Sequence, residues 1–236
     1  MLTIINQIPM LNVKNTILDN LLSVVAPHLC SGCGRTGTTI CDNCKYDINN
    51  EPYLGCILCD KQSNIGVCKN HNAAFHQAWV VGVRSGALQR LIGGFKFQNM
   101  KASSFDLATL LHTRLPPLPR NSVIIPIPSS REHIRERGYD HMLLIAKDLA
   151  RLRHLPVQRL LVRNNNLVQH RTGRKNRLLQ AKTAFRIEGK VDPDSTYIII
   201  DDVVTTGATI IQAAHVLRKA GATTIWVAAT SRQPLD

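Results

Sequence analysis

Beyond residue 78 the chain alternates short apolar runs with amphipathic stretches. The runs are Trp79-Val80-Val81-Gly82-Val83, Ser122-Val123-Ile124-Ile125-Pro126-Ile127-Pro128, Tyr197-Ile198-Ile199-Ile200 and Thr224 to Thr230. Continuous β-branched runs bounded by polar sequence predict strands buried on both faces, as in parallel sheets. Between them, Leu88, Leu91, Ile92 and Phe95 mark a helix over 86–97. A similar pattern fills 103–114 until Leu115-Pro116-Pro117-Leu118-Pro119 breaks it. Leu143, Leu144, Ala146, Leu149 and Leu152 line one side of a helix over 139–152, and another helix spans 209–220. Strands alternating with helices predict an α/β domain over 78–236 with a mostly parallel sheet, flanking helices and right-handed crossovers. Ile17, Leu18, Leu21, Leu22 and Val25 predict an N-terminal helix within 1–27, packed on the protein. Its polar face carries few cations, which argues against a membrane-surface role.

The cysteines change the picture of the N-terminal third. All seven lie between positions 30 and 68, so they belong to one local unit, a small domain over 28–72. They form Cys30-x-x-Cys33, Cys41-x-x-Cys44, Cys56-x-x-Cys59 and Cys68-x-x-His71. Each knuckle points two donors at one ion, and two knuckles complete a tetrahedral zinc site. The order predicts a Cys₄ site (Cys30, Cys33, Cys41, Cys44) and a Cys₃His site (Cys56, Cys59, Cys68, His71); a cross-braced pairing fits the spacing too. An odd cysteine count and regular knuckles argue against a disulfide framework. Closed coordination makes the metal structural, with one or two Zn²⁺ ions per chain.

Charge and composition narrow the partners. The net charge of +13 suits polyanions such as pyrophosphate, nucleotides or nucleic acid, and also an ordinary basic surface. Aromatics make up only 5%, so no extended base-stacking platform is evident. No run of 18 apolar residues exists, so no membrane span is expected. The first residues lack the basic region and long apolar core of a signal peptide, and the expected location is cytoplasmic.

One stretch carries the chemistry. After Tyr197-Ile198-Ile199-Ile200 come Asp201 and Asp202 at the predicted strand's C-terminal end, where ligands bind in open α/β sheets. Val203 and Val204 lead into Thr205-Thr206-Gly207-Ala208-Thr209, a turn into a helix. Such a turn offers backbone N–H groups, three hydroxyls and a helix N-terminus, the parts of a phosphate cradle. The carboxylates suit ribose hydroxyls, directly or through hydrated Mg²⁺. The stretch has neither Walker A nor G-x-G-x-x-G spacing. Arg131, Arg135 and Arg137 follow the strand over 122–128 and suit an anion above the sheet, or a solvated helix face. Lys96 ends the helix over 86–97, where a cation also suits the helix C-terminus. Residues 163–183 form a long basic stretch, read as a lid over pyrophosphate or as a surface loop.

The segment Tyr197 to Thr209 resembles the 5-phosphoribosyl-1-pyrophosphate (PRPP) motif of type I phosphoribosyltransferases. The resemblance implies that Asp201 and Asp202 meet the ribose and Thr205 to Thr209 hold the 5′-phosphate. A cysteine-rich ribbon ahead of this motif resembles the ComF/GntX family over about Cys30 to Thr230. The resemblance also rests on Leu91-Ile92-Gly93-Gly94-Phe95-Lys96-Phe97, Arg135-Glu136-Arg137-Gly138-Tyr139-Asp140-His141, and Gln169 through Phe185. The implied fold is type I phosphoribosyltransferase-like, preceded by a double zinc ribbon. The family usually shows Arg-Gly-Phe-Asn-Gln where this chain has Arg137-Gly138-Tyr139-Asp140-His141, and Asn where it has Gln180; Gln169 and Arg177 match. The substitutions at 140 and 141 change charge and donor pattern near the expected pyrophosphate loop.

Two functions follow as expectations. As an enzyme, the chain would transfer a phosphoribosyl group from PRPP, with Lys96, Arg135, Arg137 and Arg177 neutralising the leaving pyrophosphate and Mg²⁺ bridging pyrophosphate and ribose. No nucleophile is needed, because the transition state is cationic at the sugar. As a non-catalytic protein, it would bind single-stranded DNA or a DNA-uptake partner and keep the PRPP site as a sensor or relic. The resemblance implies a role in natural transformation or DNA utilisation; the acceptor base is not written in the sequence.

Overall fold

The apolar run at Tyr197 sets the centre of the fold. The computed structural model describes residues 27–164 and 184–234. Strand β5 (Thr196–Val204) is buried along nearly its whole length. It pairs in parallel with β6 (Thr224–Arg232) on one side and β2 (Ser122–Pro126) on the other. β1 (Gln77–Val83) pairs in parallel with β6, giving the order β1-β6-β5-β2. The expectation of a mostly parallel sheet with flanking helices holds.

Alternation along β5 splits the core in two. Ile198 and Ile200 face a cluster containing Leu91, Phe95, Leu107, Leu111, Ile145 and Leu149. Those residues come from α2 (Gly86–Phe97), α3 (Ser103–Arg114) and α5 (His141–Arg153). Tyr197 and Ile199 face the opposite cluster, which includes Ile210, Ala213, Ala214 and Leu217 of α6 (Ala208–Lys219). A fully buried Ile cut to Ala costs about 2–5 kcal/mol, so Ile198→Ala or Ile199→Ala would loosen one face or the other.

The cysteine ribbon packs into both clusters. Ile40 joins the first, and Ile57 and Val67 join the second. Between them a bridge from Tyr53 to Val80 covers the β1 edge of the sheet, where an unpaired strand would otherwise offer open hydrogen bonds. The short helix α1 (Asp42–Asn50) lies within the ribbon. Its Lys45 contacts buried Asp106 of α3 at 2.8 Å, and Thr39 donates to the same carboxylate.

Several boundaries differ from expectation, for local reasons. Helix α5 begins at His141, not 139, because Asp140 accepts from the Leu143 amide as its N-cap. Arg131–Arg137 forms a short helix, α4, capped by Ser130 and closed by Gly138 at φ 76°. β5 and β6 continue past the acid pair and past Thr230. A two-stranded antiparallel ladder, β3 (Leu161–Arg163) with β4 (Phe185–Ile187), was not anticipated. The expected helix within 1–27, and Gln169, Arg177 and Gln180 of the basic stretch, lie outside the described residues.

Candidate functional site

Asp201 and Asp202 lie buried within the last turns of β5, at the C-terminal end of a central parallel strand. A strand puts successive side chains on opposite faces, so the two carboxylates meet different surroundings. Asp202 Oδ2 sits 2.6 Å from Lys96 Nζ and 2.6 Å from His141 Nε2. Its Oδ1 accepts from the Val203 amide at 2.6 Å. Burial opposes its charge, but the His141 contact and Lys96 hold Asp202 well below the usual carboxylate range. Asp201 gets less help. Burial and the adjacent Asp202 charge push it up to about 7, with relief from the Asp202 amide at 2.9 Å, Lys96 and Arg163. One site thus holds a fixed carboxylate and one poised near neutrality.

His141 is the residue that sequence reasoning underused. Its Nδ1 lies 2.9 Å from Arg137 Nη1 and 3.0 Å from Ser129 Oγ. A guanidinium only donates, so Nδ1 accepts and Nε2–H donates to Asp202. A glutamine side chain offers the same donor and acceptor, which accounts for His141 standing at the family's Gln position. Asp140 caps a helix as Asn would. Tyr139 keeps the family's aromatic ring against Phe95, with its hydroxyl donating to the Phe95 carbonyl.

Past the acid pair the chain turns into α6. Gly207 caps this helix at φ 74°, a conformation suited to glycine. It offers no side chain to the helix amides; the Ala208 amide reaches Thr206 Oγ1 at 3.4 Å, and the rest of the first turn offers N–H groups to an anion. Thr205 and Thr206 are exposed, while Gly207 is covered. Of the expected cations, Lys96 and Arg137 join this cluster, directly and through His141. Arg135 is exposed on α4 and makes no contact to it. Arg177 lies outside the described residues. Beside the acid pair a cleft of about 300 Å³ is lined by Lys96, Phe97, Asn99, Glu136, Arg137 and Tyr139.

The cysteine knuckles pair in sequence, not cross-braced. Cys30, Cys33, Cys41 and Cys44 place four donors within 4.8 Å of one another, as do Cys56, Cys59, Cys68 and His71. All seven thiols are free. Cys33 and Cys41 sulfurs stand 3.7 Å apart, and those of Cys59 and Cys68 3.6 Å. Four sulfurs about 2.3 Å from one zinc stand about 3.8 Å apart, so the spacing fits. Burial opposes ionisation of Cys30, yet the amides of Cys33, Cys41 and Gly32 pull its thiol down to about 6. Burial and the neighbouring thiols push Cys44 up to about 12. A bound cation would relieve that repulsion. The His71 Nε2 is buried with no hydrogen-bond partner, as a metal-ligating nitrogen would be. Each cluster could hold a zinc ion.

No family model matches the chain. Among solved structures, one titled as the allosteric regulatory enzyme of purine biosynthesis overlaps with a TM-score of 0.42 at 18% identity, over 55% of this chain and 25% of that one. Glutamine PRPP amidotransferase from B. subtilis gives 0.41 at 17%, over 55% and 26%. The chain thus spans about a quarter of the length of each. Sequence relatives cover more. Competence protein F of Haemophilus influenzae is 27% identical over 201 residues, 80% of this chain and 88% of that protein. Competence protein ComFC of Bacillus subtilis is 27% identical over 201 residues, 77% and 79% of the two chains. DNA utilization protein YhgH of Escherichia coli is 28% identical over 209 residues, 84% and 86%. With its paired cysteine clusters ahead of a parallel sheet ending in an acid pair, the chain is similar to these competence and DNA utilization proteins over most of their length.

Proposed function

We propose that the protein binds PRPP, or a closely related phosphoribosyl compound, and serves DNA uptake or utilisation. The observation that carries this is the buried pair Asp201–Asp202 followed directly by the Gly207-capped start of α6. Asp201 and Asp202 would accept hydrogen bonds from the ribose hydroxyls. Val203 and Val204 carry the chain into Thr205–Thr209, whose hydroxyls and amides would hold the 5′-phosphate. Lys96 and Arg137, joined by Arg135 and Arg177, would balance the pyrophosphate charge. Asp201 and Asp202 are the residues that would hold a Mg²⁺ ion, directly or through its water, and the ion would neutralise charge on the pyrophosphate. If transfer occurs, the chemistry is that of a phosphoribosyltransferase, and the cleft at Lys96 and Phe97 is the space for the displaced group.

Calorimetry with PRPP, with and without Mg²⁺, tests this. Wild type should bind in a Mg²⁺-dependent way, and Asp201→Asn/Asp202→Asn should not. Absence of binding by the folded, zinc-replete wild type would sink the proposal.

The relatives' names favour a second reading, in which the site binds ligand without turnover and the basic surface contacts single-stranded DNA. Binding of an oligonucleotide that weakens steeply with salt would support it. Affinity indifferent to salt would count against it.

A further inference from the structure

The two cysteine clusters sit in different places, and only one touches the expected phosphate loop. The first is tied to α2 and α3. Arg90 of α2 donates to the carbonyls of Ser31 at 2.6 Å and Gly32 at 3.2 Å, and Thr39 bonds Asp106 of α3. The second cluster lies against the start of the loop. Leu58, inside the Cys56–Cys59 knuckle, covers Gly207 so closely that a Cβ there would meet Leu58 Cδ2 at 2.4 Å.

A buried ion pair joins the same two places. Arg232, in the last strand, is fully buried. Its Nε stands 2.9 Å from Asp60 Oδ1, as an ion-pair contact, and its Nη2 donates to Asp60 Oδ2 at 3.1 Å. Asp60 directly follows Cys59. Its amide closes the knuckle onto the Cys56 carbonyl at 2.9 Å, and its carboxylate accepts from Tyr53 at 2.7 Å. From the other side, Arg232 Nη1 donates to the carbonyls of Val204, at 3.2 Å, and Thr205. Those two peptides are where β5 becomes the loop. The guanidinium is therefore a clamp with one side on the knuckle and the other on the loop's backbone. A buried arginine held this way cannot lose its carboxylate without leaving an uncompensated charge.

We propose that Asp60 and Arg232 are positioning residues for the phosphate-binding loop, and that a metal ion in the Cys56–His71 cluster sets the loop's geometry through them. Among the described residues the first cluster has no such path, and its contacts to α2 and α3 anchor the ribbon. This rests on Thr205–Thr209 being the phosphate site, and the test is chosen to separate the two. Hydrogen exchange of peptides covering 202–211 reads the loop without any ligand. PRPP calorimetry with Mg²⁺ reads the site.

Asp60→Asn should keep the wild-type zinc content and raise loop exchange about a hundredfold or more, the usual scale for losing one partner of a buried charge pair. Leu58→Ala, a milder change that leaves the charges alone, should loosen the same peptides in the same direction. Asp60→Glu should restore part of the protection, since it keeps the carboxylate. Cys44→Ser, in the first cluster, should lose zinc yet leave exchange over 202–211 unchanged. Cys68→Ser, in the second, should lose zinc and loosen the loop. In folded variants, PRPP affinity should fall with loop protection. Loop exchange equal to wild type in both Asp60→Asn and Leu58→Ala would overturn the coupling. So would equal loosening by Cys44→Ser and Cys68→Ser. Loosening as expected, in a wild type that binds no PRPP, would leave the coupling standing and reject the phosphate site.

Discussion

Lys96 Nζ and Asp202 Oδ2 stand 2.6 Å apart, so a carboxylate expected to meet ribose already holds a cation. Ligand entry must therefore exchange that contact, and the released ammonium lies beside the cleft lined by Arg137 and Phe97. Lys96→Met should lower PRPP affinity by about tenfold or more, because a charge-assisted hydrogen bond contributes about 1.5–3 kcal/mol. Ribose 5-phosphate, which lacks the pyrophosphate, should bind the variant as well as it binds wild type. Calorimetry with both ligands checks this, and equal loss for both would contradict it.

The two aspartates should give opposite pH slopes to stability. Asp201 is raised to about 7 in the folded protein. An unfolded Asp titrates near about 3.9, so the folded state holds an extra proton between those values. Its contribution is complete below about 4 and is lost as pH rises towards 7. Asp202 is depressed, so its contribution is present above about 4 and is lost on acidification. Urea midpoints for Asp201→Asn should lack the decline between pH 4 and 7 that wild type shows. Ligand binding should strengthen as pH passes 7 in wild type, with Asp201→Asn lacking that component.

Replacing His141 separates chemistry from shape. Gln keeps a donor for Asp202 and an acceptor for Arg137, so His141→Gln should bind PRPP within about threefold of wild type. His141→Leu leaves Arg137 and Asp202 each short of a contact and should weaken binding by about tenfold or more. A variant set in which Gln and Leu behave alike would show that the polar contacts given by His141 do not matter.

Metal content is the simplest check on the cysteine clusters. Denatured protein should release two zinc ions per chain, since each cluster supplies four donors. Chelation should lower the melting temperature by about 10 °C or more, because a chain of this size shifts about 2–4 °C per kcal/mol and a closed metal site is worth several. Retention of the wild-type melting point after complete removal would make the clusters dispensable to the fold.

The helices over 86–97 and 103–114 were legible to the residue, because their apolar spacing and flanking breakers are local. The buried strands were legible in type but not in length. β5 runs on through Asp201 to Val204, since in a central strand hydrogen bonds to β6 continue where the apolar pattern stops. β3 and β4 were invisible, being three residues each with no period to detect. The acid pair and the cysteine ligands announced themselves by spacing. His141 did not, because a lone histidine near a helix start has no pattern; its only mark was standing where the family has Gln. Asp60 and Arg232 left no mark at all, as they meet across most of the chain with no local pattern to announce the pair.

The strand order also fixes when this protein can first become itself during synthesis. β1 emerges early, yet in the sheet it pairs with β6, the last strand, from Gln77 against Trp226 to Val83 against Arg232. A nascent chain that already carries the acid pair still lacks the partner for β1 and the guanidinium that grips Val204 and Thr205. The cysteine clusters emerge long before, but the edge their ribbon covers has nothing yet to belong to. Assembly is thus all or none with respect to the C-terminal strand, and a chain cut short before Thr224 would have its ligand residues and no site.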